Sequence, residues 1–220
     1  ESVRSETVCE NRIAEDLFAF VPASFEESVR RALEKTQAGD LETKWTSASA
    51  PVIETDIDPS HLLTDQQVID IPASPEKVFR VVSSIGGNNG WLFGNWLWRM
   101  RGFLDKQIGG VGLRRGRRHA IDLGIGEALD FWRVEDFEQN QRLLLRAEMK
   151  LPGRGWLEFV LERLEITKTR LIQTAKYYPK GLLGMFYWFV LHPFHWIMFR
   201  GLARAIAKQV LRHQSNSVAP

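Results

Sequence analysis

The sequence has 220 residues, of which 44% are hydrophobic and 25% charged, with a formal net charge of +2 at neutral pH. This is the composition of an ordinary globular protein, and the near-zero charge argues against a protein that binds polyanions over its whole surface. The single cysteine, Cys9, excludes a disulfide within the chain and a cysteine-rich zinc site.

The first 50 residues are predicted to be separate from the rest. Ser24 and Glu27 form a capping box, which predicts the start of a helix. The apolar stripe of this helix consists of Phe25, Val29 and Leu33. A lone helix cannot bury a core, and the small polar segment TSASAP that follows it is typical of a linker. We therefore expect residues 1–50 to be the tail of an upstream domain plus a linker, and residues 51–220 to form the main domain.

The N-terminal residues do not have the pattern of a secretion signal. No basic segment is followed there by an apolar one, which predicts that the sequence as given starts without a signal peptide. We expect a cytoplasmic protein, with membrane association as the alternative.

After residue 60 the pattern changes to a strand followed by helices. TDQQVIDI alternates enough to predict a strand, which ends at Pro72. Ser74 and Pro75 are then typical of the cap and first position of a helix. Gly86–Gly90 breaks that helix, and the aromatic segment WLFGNWLWRMRGFLD behind it is predicted to be partly helical.

Residues 112–179 contain five strand-like runs, separated by short polar or glycine-rich turns. The runs are LRRGRR, ALDFWRVEDF, RLLLRAEM, GWLEFVLERLE and TRLIQTAKYY. Short connections between sequential strands predict an antiparallel meander, and strands that do not alternate with helices exclude a doubly wound sheet. The predicted fold class is α+β, with helices on one face of an antiparallel sheet.

The last segment is predicted to be a long helix. Leu182–Phe199 contains no Lys, Arg, Asp or Glu, which leaves two explanations. The first is a membrane span, but the segment is only just long enough to cross a bilayer, and Pro193 and two histidines argue against this explanation. We therefore expect instead that the sheet encloses this helix, which would make it apolar on most sides, and that Pro193 either kinks it or marks a helix start within it.

Six segments, in this order, resemble a domain-of-unknown-function family within the Bet v 1/START-like (SRPBCC) superfamily. They are SSIGGNNGWLFGNWLW, GGVGLRRGRR, LDFWRVE, LLLRAEMKLPGRGWLEF, QTAKYYPKGLLGMFYW and HPFHWIMF, within residues 50–205. The resemblance implies a helix-grip fold, in which a curved antiparallel sheet wraps around a long C-terminal helix and leaves a cavity for a small hydrophobic ligand.

Members of that family are found C-terminal to NmrA-like, NAD(P)-binding domains of the SDR type. VPASFEESVRRALEKTQAGDLETKW, residues 21–45, looks like the tail of such a domain. The resemblance implies that NAD(P) would bind only to the upstream domain, and we expect no cofactor in this chain. The glycines at 110, 112 and 116 follow no predicted strand and lead into no helix, so they do not form a dinucleotide-binding loop.

Polar residues within the strands are the first candidates for a binding site. Residues two apart along a strand share a face, so these side chains point either into the cavity or onto the solvated face as cross-strand ion pairs. Both interpretations remain open for Arg133, Arg146, Glu148, Glu158 and Gln173. The other candidate ligand contacts are Trp91, Trp96, Tyr187, His192 and His195. The two histidines lie three apart on the last helix, and we expect no metal because nothing beside them completes a site.

A basic cluster extends from Arg99 to Arg118. Its cations are Arg99, Arg101, Lys106, Arg114, Arg115, Arg117 and Arg118. No nucleic-acid motif accompanies them, so we expect no nucleic-acid partner. An anionic lipid surface, a cofactor phosphate and a solvated edge strand remain as alternatives.

The favoured function is a binding module for a small hydrophobic molecule, acting with an NAD(P)-binding domain. The first alternative is an enzyme domain whose acid–base residue is among Glu148, Glu158 and His195. The second is a peripheral membrane protein that uses the basic cluster and the tryptophan-rich segment.

Overall fold

The computed structural model describes residues 23–38, 58–112 and 123–216. The chain divides into two compact units, Glu1–Asp40 and Leu41–Pro220. The predicted boundary near residue 50 falls outside the described residues and stays a prediction, as does the linker at 46–51. The predicted strand LRRGRR, with Arg114, Arg115, Arg117 and Arg118, also lies outside them.

In the first unit, helix α1 spans Phe25–Ala38. It begins as the capping box predicts, because the backbone N–H of Glu27 donates to Ser24 Oγ at 3.2 Å. The carboxylate of Glu27 pairs with Arg30 and Arg31 instead of reaching back to the cap.

The described residues of the second unit contain one sheet of six antiparallel strands in the order β1-β6-β5-β4-β3-β2. The strands are β1 (Leu63–Ile71), β2 (Ala128–Leu129), β3 (Trp132–Glu138), β4 (Arg142–Ala147), β5 (Gly153–Glu165) and β6 (Lys168–Pro179). Successive strands from β2 to β6 are neighbours, which confirms the predicted meander, and β1 closes the order beside β6. The predicted strand ALDFWRVEDF is divided because the chain reverses at Asp130, which adopts a positive φ of 55°, so that β2 pairs antiparallel with β3 in a tight hairpin.

Three helices accompany the sheet: α2 (Pro75–Ser83), α3 (Asn95–Gln107) and α4 (Gly181–Asn216). Pro75 takes the first position of α2, as predicted, but the side chain of Ser74 makes no capping hydrogen bond. Helix α4 continues through Pro193 without interruption.

The core lies between one face of the sheet and the C-terminal half of α4. In each strand alternate residues point to this face, for example Leu145 and Leu157, which are opposite each other in the register and completely buried. Leu202 and Ile206 of α4 pack in the same cluster, together with apolar residues of α2. This curved antiparallel sheet with its long C-terminal helix confirms the predicted helix-grip fold class.

The N-terminal half of α4 is far less enclosed than the sequence analysis predicts. Gly181–Ser215 is the one described helix that is long and apolar enough to cross a membrane, yet only 17% of its most apolar 18-residue window is buried. Leu182 is 88% exposed and Phe186 67% exposed. Enclosure by the sheet therefore explains the apolar residues of α4 after Phe199. For most of the apolar residues before Phe199, the prediction that the sheet encloses them is wrong.

Candidate functional site

An apolar cavity of about 250 Å³ lies between α3, the N-terminal half of α4 and the adjoining part of the sheet. The sheet contributes Trp132, Ala147, Ala175 and Tyr177 to its lining, and the segment between β4 and β5 contributes Met149 and Leu151. Helix α3 adds Leu97, Trp98, Met100 and Arg101, and α4 adds Tyr187, Trp188, Leu191, Phe194, His195, Met198 and Phe199. Met100 and Phe194 are both strongly exposed, so the cavity opens to the surface between the two helices.

A column of rings from β6 and α4 forms one wall of the cavity. Tyr177 and Trp188 stack with their ring centroids 5.5 Å apart and an interplanar angle of 5°. His195 lies 5.8 Å from Trp188 and 5.6 Å from Phe199, centroid to centroid. The three α4 residues share a face because they are seven and four positions apart along the helix.

A close backbone contact fixes the start of α4 beside the sheet. Gly184 packs directly against the carbonyl oxygen of Pro152, where even a methyl group would overlap. The Tyr177 hydroxyl donates to the same carbonyl oxygen at 2.8 Å. Glycine is therefore required at position 184 for the helix to approach the cavity.

Helix α3 is held on the opposite side by one buried carboxylate. Asp105 accepts hydrogen bonds from the backbone N–H groups of Gly112 at 2.9 Å and Lys150 at 2.8 Å. The bond from Lys150 joins α3 to the segment between β4 and β5, and the bond from Gly112 fixes the chain that leaves α3, so Asp105 is structural and keeps the cavity wall in place.

His195 is the most perturbed polar group of the cavity. Burial lowers its pKa to about 4, against the opposing attraction of Asp65, so the imidazole is neutral at physiological pH. Its Nδ1 is buried without a hydrogen-bond partner among the described residues. A neutral imidazole has one donor and one acceptor nitrogen, and it can therefore bind either kind of ligand atom.

Two tyrosines and an arginine supply the other polar groups. Burial raises the pKa of Tyr177 to about 12. Burial also raises the pKa of Tyr187, while Arg101 acts in the opposite direction. Both hydroxyls are protonated at neutral pH, so the charge at the cavity comes from Arg101. Lys176 is also part of the lining, but its Nζ pairs with Glu158 at 2.6 Å on the other face of the sheet.

Of the candidate ligand contacts, the structure brings Tyr187 and His195 together in the cavity. Trp91 is buried in the core beside it, where its indole N–H donates to Asp130 at 2.8 Å. Gln173 is also buried and donates to the carbonyl oxygen of Phe199 at 3.0 Å, which ties α4 to the sheet. Trp96 and His192 are exposed and do not line the cavity.

The charged strand residues lie on the other face of the sheet. Arg133 and Arg146 are opposite each other in the register, and both neighbour inward-facing core residues, so they point away from the cavity. Arg133 binds Glu148 through two hydrogen bonds of 2.9 Å each. Of the two orientations open from the sequence, the structure has the cross-strand ion pairs.

Glu158 belongs to the same face. Burial acts to raise its pKa, but hydrogen bonds from Lys176 and Arg142 outweigh that effect and hold the pKa below its ordinary value. The carboxylate is thus ionised and fully engaged, which is typical of a structural ion pair rather than a proton donor.

Most residues of the cavity lining could not be predicted from the sequence. Trp188 and Phe199 were recognisable as sharing a helix face with the histidines. No local signal marks Trp98 or Trp132, because apolar residues in a core and around a cavity have the same periodicity. Of the basic cluster, Arg101 lines the cavity, while Arg99 and Lys106 are exposed on α3.

The architecture and the cavity define a helix-grip domain with a predominantly apolar pocket. Residues 58–202 match the family model described as "Protein of unknown function (DUF2867)", and the chain belongs to that family. No curated protein matches the sequence.

Solved structures with a similar arrangement share little sequence with the chain. The ZhuI aromatase/cyclase of Streptomyces sp. R1128 is 11% identical with a TM-score of 0.43, covering 73% of this chain and 100% of its own. A point mutant of norcoclaurine synthase from Thalictrum flavum is 12% identical with a TM-score of 0.44, covering 70% and 96%. A protein from Thermus thermophilus is 16% identical with a TM-score of 0.40, covering 69% and 99%.

Proposed function

We propose that the chain binds a small, predominantly apolar molecule in the cavity between α3, α4 and the sheet. The observation that carries the proposal is an aromatic-lined space with a neutral imidazole, His195, in its wall. Ligand sites are typically concave, mostly apolar and supplied with a few polar groups that orient the ligand.

The volume limits the size of the ligand. A cavity of about 250 Å³ is larger than the roughly 150 Å³ that accommodates benzene and smaller than the range of about 300–1,000 Å³ for drug-sized molecules. A molecule of one or two rings or a short acyl chain fits this space. Its polar end would face His195, Tyr187 or Arg101.

Native mass spectrometry of protein purified from cells, followed by thermal-shift assays with lipids and small aromatic compounds, tests the proposal. Leu191→Trp fills the cavity and is expected to abolish any ligand-induced rise in Tm. Val190→Trp adds the same ring at the next, exposed position and should leave that rise intact. The proposal fails if no molecule copurifies and no compound raises the Tm, or if both variants respond alike.

An enzymatic role with its own acid–base residues is the second candidate. Neither Glu148 nor Glu158 faces the cavity, and no described carboxylate forms an ion pair with His195. The nearby carboxylate is Asp65 of β1, which is buried and acts on the pKa of His195. Turnover of a bound compound that is lost in both Asp65→Asn and His195→Gln would favour this candidate.

The association with an NAD(P)-binding domain of the SDR type also remains a proposal. It is supported by the resemblance of residues 21–45 and by the apolar stripe of α1, whose Phe25 is 85% exposed. Retention of this chain, but not of its Phe25→Ser variant, on an immobilised NmrA-like domain would support it, and no retention of either would count against it.

A further inference from the structure

An apolar surface surrounds the mouth of the cavity. It is formed by Met100, Phe103 and Leu104 of α3 and by Phe186, Val190 and Phe194 of α4, and we call it the mouth face. Each of these side chains is about half exposed or more. Met100 and Phe194 also line the cavity, so the apolar side chains of α3 and those of α4 meet at the opening of the cavity.

The mouth face is larger than ordinary surface apolarity explains. An aromatic side chain has about 150–250 Å² of surface. Phe103, Phe186 and Phe194 are 60–67% exposed, so these three rings alone present roughly 300–450 Å². The largest apolar patch of a typical monomer is about 300–600 Å² and often functional, and the aliphatic residues enlarge this one further.

The charges on the two helices that form the mouth face are almost all of one sign. Those of α3 lie within or beside its segment of the mouth face, and those of α4 follow along the helix, starting six residues beyond Phe194. Helix α3 has three Lys or Arg residues and α4 has four, whereas Asp105 is the only acid in either helix and is buried. The cations are Arg99, Arg101, Lys106, Arg200, Arg204, Lys208 and Arg212. An apolar face bordered by cations complements an apolar phase with an anionic surface.

Two exposed tryptophans at the border fit the same partner. Trp96 is 66% exposed at the start of α3, and Trp196 lies 4.9 Å from the guanidinium of Arg200. Tryptophan is enriched at the level of lipid headgroups, because its ring is apolar and its N–H is polar.

Helix α4 is held flat against the domain and does not extend away from it. Gly184 packs on the Pro152 carbonyl at one end of the apolar segment, and Gly201 packs on the ring of Phe93 at the other. Between them Trp188 is buried and stacked on Tyr177. One side of the segment is therefore engaged by protein, which is the geometry of a helix that lies in a membrane surface rather than across it.

We propose that the mouth face docks on an anionic phospholipid membrane, so that the cavity opens into the lipid phase and takes its ligand from there. Docking of the mouth face on the membrane does not depend on the proposed function. Uptake of a ligand from the lipid phase rests on it, because it requires that the cavity binds a ligand. Vesicle binding and ligand binding can therefore fail separately.

The test is cosedimentation of the chain with vesicles of phosphatidylcholine alone and of equal parts phosphatidylcholine and phosphatidylglycerol. Binding is expected on the anionic vesicles and should weaken as salt is raised. Phe103→Ser and Phe186→Ser, neither of which lines the cavity, should each reduce binding by about tenfold. Ile166→Ser removes an 81% exposed apolar side chain from the turn between β5 and β6 and should have no effect.

Charge reversal tests the second element of the proposal. Arg99→Glu changes the charge beside the mouth face by two and should reduce binding to anionic vesicles by roughly thirtyfold. Lys77→Glu makes the same change on α2, away from the mouth face, and serves as the control. Circular dichroism of each variant establishes that the fold is retained, and vesicle-induced changes in tryptophan fluorescence give a second measure of binding.

Three results would overturn the proposal. The first is absence of binding to anionic vesicles, whether or not the chain binds a ligand in the cavity. The second is a dimer in solution that Phe186→Ser dissociates, which would make the mouth face a contact between two copies. The third is membrane association that resists alkaline extraction, since a helix across the bilayer would behave in this way.

Discussion

Replacing His195 by leucine should remove a large part of the sensitivity of this protein to acid. Burial lowers the pKa of the folded-state imidazole from an ordinary value of 6.5 to about 4. Between these two values the unfolded chain binds a proton at this residue and the folded chain does not. The free energy of unfolding therefore falls as the pH drops from 6.5 towards 4.

The size of the effect follows from the two pKa values. Each unit of difference corresponds to about 1.4 kcal/mol, so the complete loss is on the order of 3 kcal/mol. Between pH 6.5 and pH 4.5 about 2 kcal/mol of this is lost. In His195→Leu, which has no titratable group at this position, that part of the pH dependence should be absent.

Urea unfolding followed by tryptophan fluorescence at a series of pH values measures this difference. His213→Leu is the matched control for the loss of a histidine, because His213 is exposed near the other end of the same helix, away from the cavity. Parallel stability curves for the wild type and His195→Leu would refute the reasoning, since they would mean that His195 titrates equally in the folded and unfolded states.

Three further substitutions test the framework of the site by the same unfolding assay. Arg133→Met removes the two hydrogen bonds to the largely buried carboxylate of Glu148, which keeps its 3.6 Å contact with Arg146, and should cost on the order of 3 kcal/mol. Arg163→Met, at an exposed ion pair, should cost less than about 1 kcal/mol, and equal losses would contradict the assignment. Gly184→Val forces a side chain against the backbone carbonyl of Pro152 and should destabilise the protein by about 1–3 kcal/mol. An unchanged Tm would show that α4 does not approach this carbonyl so closely. Tyr177→Phe removes one hydrogen bond but keeps the stacked ring, so a loss of about 0.5–1.5 kcal/mol is expected; a loss above this range would assign the hydroxyl a larger role.

The orientation of Arg133 could not be predicted from its strand. A period of two assigns residues to two faces but does not say which face is covered, and both faces of β3 and β5 contain buried residues. The interruption at Asp130 was equally hidden, because nothing local distinguishes its positive φ from the extended backbone of its neighbours. The same limit applies to Trp91 and Trp98, one buried in the core and the other lining the cavity.

The sequence by itself determined the order of helices and strands after residue 60, the antiparallel meander and the helix-grip class. The order and the meander follow from local periods, turns and caps, which depend on residues near one another in the chain, whereas the helix-grip class followed from the resemblance of six segments to a known family. Only the tertiary structure decided that Leu182–Phe199 is largely exposed, that the strand charges face away from the cavity, and that Tyr187 and His195 are the candidates that meet in it. An apolar helix has the same sequence whether protein or lipid covers it, because both remove its side chains from water.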